Sequence, residues 1–231
     1  MSIWLTVRTV LGSGTTAFGA VVDRIGTLFA GDPAVRRQVA FSIAMVALSA
    51  KMAKADGVVT SDEVAAFRGL FAAGPHDERM IGRLFDLAKR DTAGFESYAA
   101  KIAGLYGADR QGLEDVMDGL FAIARADGAV HEAEIVYLER VAAIFGIVDG
   151  DFERILARHV VPEEGDPYLI LGVERSMGLA DVRRSYRRLV QENHPDRLIA
   201  RGLPAEAIAL ANDRLAAINR AFERIEAERR V

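Results

Sequence analysis

Apolar positions recur at three- and four-residue steps in a succession of segments separated by short polar or glycine-containing breaks. Residues 39–55 (VAFSIAMVALSAKMAKA) and 113–126 (LEDVMDGLFAIARA) read as helices, and each runs into a further one, 62–73 (DEVAAFRGLFAA) and 132–146 (EAEIVYLERVAAIFG). Between them lie HDERMIGRLFDLAKRD at 76–91 and GFESYAAKIAGLY at 94–106, also of helical period. Strand signals are absent. The pattern predicts an all-α protein in which residues 32–160 form a bundle of helices joined by short turns.

Two of the junctions are copies of each other. AKADGVVTSDE, Ala53 to Glu63, and ARADGAVHEAE, Ala124 to Glu134, share a basic residue, Ala, Asp, Gly, Val and a final Glu at a constant offset of 71 residues. Each Asp-Gly ends one helix, with Gly57 and Gly128 suited to a left-handed backbone, and Ser61 or His131 leads toward the next. Asp-Gly-x-Val-x-x-x-Glu also matches the second half of a calcium-binding EF-hand loop. The first half does not match, because its ligand positions hold Met52 and Lys54 in one copy and Ile123 and Arg125 in the other. Asp56, Glu63, Asp127 and Glu134 therefore have two readings. They cap helix ends and complement helix dipoles, or two loops meeting about a pseudo-twofold axis pool them as a divalent-metal site. The paired loops resemble the TerB family of helical domains, associated with tellurite resistance and stress, whose acidic residues are suspected of binding metal.

Beyond residue 158 the pattern breaks. HVVPEEGDP, His159 to Pro167, carries two prolines, a glycine and three acids, and marks a linker at 161–165 between two domains, 32–160 and 166–231. A short apolar helix, Tyr168 to Leu171, ends at Gly172. On the next helix Val182, Tyr186, Leu189, Val190 and Asn193 fall within an arc of about 100°, while Arg183, Arg184, Arg187 and Arg188 occupy a separate arc of roughly 140°. Pro195 cannot continue that helix and pushes His194 toward extended geometry, so His194, Pro195 and Asp196 are expected to head a loop running to Pro204. A last helix, Ala205 to about Arg229, carries Ile208, Leu215, Ile218, Phe222 and Ile225 at helical spacing. The two long helices predict an antiparallel hairpin with His194, Pro195 and Asp196 at its exposed tip.

Charge sharpens this division. The chain of 231 residues has a formal net charge of -4, but residues 166–231 hold 12 Arg and no Lys against 10 Asp plus Glu, leaving 17 basic and 23 acidic residues upstream. The arginine stripe argues for an electrostatic docking surface that meets an acidic protein. Nucleic acid is not expected as a partner, given the acidic upstream domain and the lack of aromatic residues on the basic face. There are no cysteines, which excludes disulfides, thiolate zinc sites and cysteine nucleophiles. His76, His131 and His159 show no ligand spacing with His194, and a hairpin tip lacks the pocket that acid/base catalysis requires. No enzymatic activity is expected. Residues 1–31 are fairly apolar, but Arg8 and Arg24 bracket only 15 residues, short of the ~20 that span a bilayer. Ile3, Trp4, Val7, Val10 and Leu11 share one helical face, which either docks on the protein itself or touches a membrane peripherally.

The succession DPYLILGV, DVRRSYRRLVQENHPDR and LAAINRAFERI, Asp166 to about Glu228, resembles the J-domain of the DnaJ co-chaperone family, and its pairing with a TerB-like region is similar to the DjlA group. The resemblance implies that His194, Pro195 and Asp196 stimulate ATP hydrolysis by a DnaK-type chaperone, and that Arg183, Arg184, Arg187 and Arg188 dock on that ATPase. It also implies a hydrophobic core of Tyr186, Leu189, Ile218, Ala221 and Phe222. Asn193 departs from it, standing where an aromatic is common. The expected function is that of a co-chaperone whose TerB-like domain supplies targeting, client choice or homodimerisation. Its expected location is the cytoplasm, with contact at the cytoplasmic face of the inner membrane as the alternative for residues 1–31. No cofactor is expected unless the repeat binds a divalent metal ion, in which case a metal-responsive stress protein is the alternative function.

Overall fold

The computed structural model describes residues 18–28, 31, 33–55, 61–70, 75–90, 94–159, 165–200, 203 and 205–230. These contain helices and no strand, in agreement with the all-α expectation. The chain divides into two compact units, Met1–Gly146 and Ile147–Val231. The first holds α1 (Phe18–Leu28), α2 (Pro33–Ala55), α3 (Ser61–Leu70), α4 (Pro75–Arg90), α5 (Phe95–Tyr106), α6 (Arg110–Ala124) and α7 (Glu132–Ile144), with a short 3-10 turn at Arg125–Asp127. The second holds α8 (Asp149–His159), α9 (Pro167–Leu171), α10 (Leu179–Glu192), α11 (Pro195–Ala200) and α12 (Ala205–Glu228).

In the first unit α2 is the axis on which α1, α4, α5, α6 and α7 pack. Its residues from Val39 to Ala53 are buried without a break. A helix that is apolar or small all round has no face to give to water, so neighbours enclose it. Two of the polar exceptions are accommodated locally: the Ser42 hydroxyl donates to the Gln38 carbonyl at 3.1 Å, and the buried Lys51 lies 4.9 Å from the centre of the Tyr98 ring. From α7, the Tyr137 hydroxyl donates to the Leu48 carbonyl at 2.8 Å. Burial, and secondarily the Glu96 charge, push this phenol far above the ordinary tyrosine range. Of residues 1–31, through which membrane contact was expected to run, residues 1–17, with Ile3, Trp4, Val7, Val10 and Leu11, lie outside the described residues. Among the described residues no helix is long and apolar enough to cross a membrane.

The second unit is built around a helical hairpin. Tyr168, Ile170, Leu171, Val182, Leu189, Ile218, Ala221 and Ile225 are buried together, with Tyr186, Val190 and Phe222 packed against them. The expected core residues all take part. Tyr186 and Phe222 stack with ring centroids 4.1 Å apart and planes 8° from parallel, and the Tyr186 hydroxyl donates to Asn219 Oδ1 at 3.1 Å. Asp166 caps α9, its carboxylate accepting from the Tyr168 N–H at 2.9 Å, Pro167 stands in the first turn, and Gly172 ends the helix with φ 60°.

Two sequence expectations differ from this arrangement. The segment after α10 is not a loop: Pro195 opens the short helix α11, and His194 caps it, its carbonyl accepting from the N–H groups of Arg197 (3.0 Å) and Leu198 (3.2 Å). The proline that stops one helix is also well suited to begin the next, because its fixed φ is helical and its missing N–H would have no partner in a first turn. The second difference concerns α8, for which the apolar pattern predicted no separate element. Phe152 and Ile155 are buried, Ala157 reaches the hairpin core, and α8 packs on α9, so it belongs to the second unit although it precedes the proline-containing linker.

Tyr137 gives a test of the first unit. Tyr137→Phe removes a buried hydrogen bond to a carbonyl within α2 and is expected to cost about 0.5–1.5 kcal/mol, read as a shift of the denaturation midpoint. Because the folded phenol is raised, its contribution to stability is complete below the unfolded value of about 10 and drains away as pH rises above it. Ultraviolet titration should accordingly show this phenolate appearing together with alkaline unfolding.

Candidate partner-docking site

The apolar arc of α10 packs toward α12 and thereby sets the direction of everything else on the helix. Val182 and Leu189 are buried, and all four arginines of the opposite arc, Arg183, Arg184, Arg187 and Arg188, are exposed as expected. Three of them meet carboxylates. Arg183 donates to Glu226 on α12 from Nε (3.1 Å) and from a terminal nitrogen (2.6 Å). Arg184 lies 3.1 Å from Asp181 and Arg188 lies 3.4 Å from Glu192, both within α10. Arg187 instead donates to the Arg183 carbonyl at 3.3 Å and has no carboxylate at ion-pair distance among the described residues. It is the least neutralised cation of the stripe.

At the end of the stripe the His194 and Asp196 side chains are 53% and 88% exposed, so a partner can reach both. His194 Nδ1 accepts from the Asp196 backbone N–H at 3.2 Å. In the neutral ring this puts the proton on Nε2, which leaves that nitrogen as a donor. Nδ1 also lies 3.7 Å from Asp196 Oδ2. The helix-capping role fixes the tripeptide's shape while its hydrogen-bonding groups face solvent. The 490 Å³ cavity of the first unit is lined by Met52, Phe67, Phe85 and Ile123 among others, on elements of the bundle.

The carboxylates of the repeat are placed differently. Asp56 lies outside the described residues, as does the side chain of Glu63 on α3. Asp127 approaches His131 at 3.2 Å, and its carboxylate accepts from the Ala129 N–H at 3.5 Å. Glu134 is buried and accepts from the His131 N–H at 2.8 Å. Gly128 takes φ 110° between them, as its place after Asp predicts. These are the contacts of a turn that caps its following helix. Among the described residues, which leave out Asp56 and the Glu63 side chain, no group of three or more His, Asp or Glu is arranged to hold a metal ion.

Sequence reasoning passed over two residues beside the tripeptide. Ile199 on α11 is 58% exposed, although as part of an apolar Leu-Ile-Ala run it gave no sign of facing water. Arg214 is buried on α12 at a core-facing position, and its terminal nitrogen donates to the buried Asn193 at 2.8 Å. Its spacing from Ala211, Ile218, Ala221 and Ile225 was the available signal.

The architecture defines a class: a helical bundle enclosing one apolar helix and carrying a duplicated Asp-Gly turn, in a chain that continues into a helical hairpin with an exposed polar tip. The family model described as "Tellurite resistance protein TerB" matches residues 42–157, half of the chain, and the chain belongs to that family. The match runs past the first compact unit into α8. Over most of its length the chain is also similar to proteins named "Co-chaperone protein DjlA". That of Photobacterium profundum is 27% identical over 219 residues, covering 84% of this chain and 79% of the relative. That of Vibrio cholerae is 26% identical over 239 residues, covering 88% and 83%. In Legionella pneumophila the identity rises to 50% over a 58-residue stretch that covers 25% of this chain. No solved structure matches the chain significantly.

The Arg183–Glu226 pair is half exposed, and a double-mutant cycle on it should give a coupling of ~0.2–1 kcal/mol. Single alanine variants at Arg183, Arg184, Arg187 and Arg188 are therefore expected to unfold within a few degrees of the parent chain, which circular dichroism melting would check.

Proposed function

We propose that the protein is a co-chaperone whose C-terminal unit is a J-domain acting on a DnaK-type ATPase. One observation carries this reading: an exposed His194, Pro195 and Asp196 held as the cap and first turn of α11, directly beyond a helix whose outward face is arginine. The curated relatives, named as co-chaperones across most of their length, support it. The arginines steer and orient an acidic surface of the partner, with charge setting encounter rate and register more than affinity. The tripeptide then makes contacts that are stronger in the partner's hydrolysis-competent state, and that difference in binding free energy shifts the partner toward hydrolysis. The chain itself supplies no acid, base or nucleophile to the reaction. The TerB unit serves for targeting, client choice or self-association.

Single-turnover ATP hydrolysis by a DnaK-type chaperone tests this. The full chain should accelerate hydrolysis, and Asp196→Asn should abolish the acceleration while leaving the melting temperature nearly unchanged. Equal stimulation by the two would refute the assignment. Arg187→Ala should raise the half-saturating concentration more than Arg184→Ala, because Arg184 is already partly neutralised by Asp181 and Arg187 is not. The difference should shrink as salt screens it over a Debye length of about 10 Å at 0.1 M.

A further inference from the structure

The hairpin core is apolar along its length except at the end that carries the tripeptide. On α10 the inward positions run Val182, Tyr186, Leu189 and Asn193, and on α12 they run Ala207, Ala211, Arg214, Ile218, Ala221 and Ile225. Asn193 and Arg214 thus occupy core positions of the two helices, 3% and 4% exposed. The Arg214 guanidinium donates to Asn193 Oδ1 at 2.8 Å, and the Asn193 amide donates in turn to the Leu189 carbonyl at 2.8 Å, at the last turn of α10. Asn193 is the residue before His194.

Burying a guanidinium is costly, and an apolar pair of similar volume is often as stable or more so. What the polar pair adds is direction. Apolar contacts tolerate sliding and rotation, whereas a buried hydrogen bond is directional, and any slip of α12 along α10 would break it. We propose that the Asn193–Arg214 bond is a clasp that fixes the attitude of the tripeptide relative to the arginine stripe, making both residues positioning residues for the partner reaction. This rests on the co-chaperone reading for its functional consequence, although the clasp itself is a property of the isolated chain. The chain's path from the clasp is short: the His194 carbonyl, one residue on, accepts from the Arg197 and Leu198 amides that begin α11. A loosened Asn193 releases that cap.

Three variants of the full chain test the clasp: Arg214→Met, Arg214→Lys, and Asn193→Leu combined with Arg214→Met, which restores an apolar pair. In Arg214→Met, hydrogen-exchange protection of the Arg197 and Leu198 amides should fall about tenfold, the loss expected for a charge-assisted hydrogen bond. Amides in α2 should be unaffected. The double variant should melt at or above the parent temperature and still lose this protection, and Arg214→Lys should regain part of it. With a DnaK-type ATPase, the maximal stimulation should fall in Arg214→Met and in the double variant at nearly unchanged half-saturating concentration. Simple destabilisation does the reverse: it lowers the folded concentration, raises the half-saturating value and leaves the maximum intact. Unchanged protection at Arg197 and Leu198, or a change confined to the half-saturating concentration, overturns the proposal. If the parent chain gives no stimulation the co-chaperone reading fails, and the exchange measurement alone then decides for or against the clasp.

Discussion

Burial of a single arc of α10 against α12 is the constraint on which the second unit depends. Once Val182 and Leu189 are inside, with Tyr186 stacked on Phe222, the arginines at intervening positions have no choice but to face solvent, because a helix presents residues three and four apart on one side. The same burial aims the chain at the helix end, where Pro195 forces a break. Three features that look separate, the basic stripe, the capped turn and the exposed Asp196, are consequences of one packed face. Burying each large apolar side chain of that face contributes roughly 1.5–3 kcal/mol, far more than any of the surface ion pairs, so the arginines are free to be chosen for a partner.

The charge distribution supports that division of labour. A stripe of four arginines would repel itself if bare, and Arg183, Arg184 and Arg188 each meet a carboxylate of the same unit. Such exposed pairs add little stability, yet they leave the segment near neutral overall while keeping a cationic edge at Arg187. An acidic protein surface can exchange its carboxylates for these pairs at low cost. A polyanion would need a stronger uncompensated field.

In the first unit, the repeated Asp-Gly turn shows how one motif supports two readings until its neighbours are known. Asp127 meets the His131 ring and the Ala129 N–H, and one Glu134 oxygen accepts from the His131 N–H, which are contacts that capping uses. The resemblance to a calcium loop covers the half of the motif that ends in a helix N-terminus, and acids are favoured at any helix N-terminus by the dipole.

The sequence by itself determined most of the helices, the solvent-facing arginines and the break at Pro195, because these follow from local periodicity and from the geometry of proline and glycine. Periodicity also marked Tyr186, Leu189, Ile218 and Phe222 as inward-facing, and the J-domain resemblance added Ala221 to that core. Only the tertiary structure decided that α8 packs with the hairpin, since Phe152 and Ile155 show a buried face without naming its partner. The tertiary structure likewise turned the segment after His194 into α11, where Leu198 is buried while Ile199 is exposed. And it put Arg214 into a core stripe, where its guanidinium donates to Asn193, because a hydrogen bond across 21 positions of chain is invisible to any local pattern.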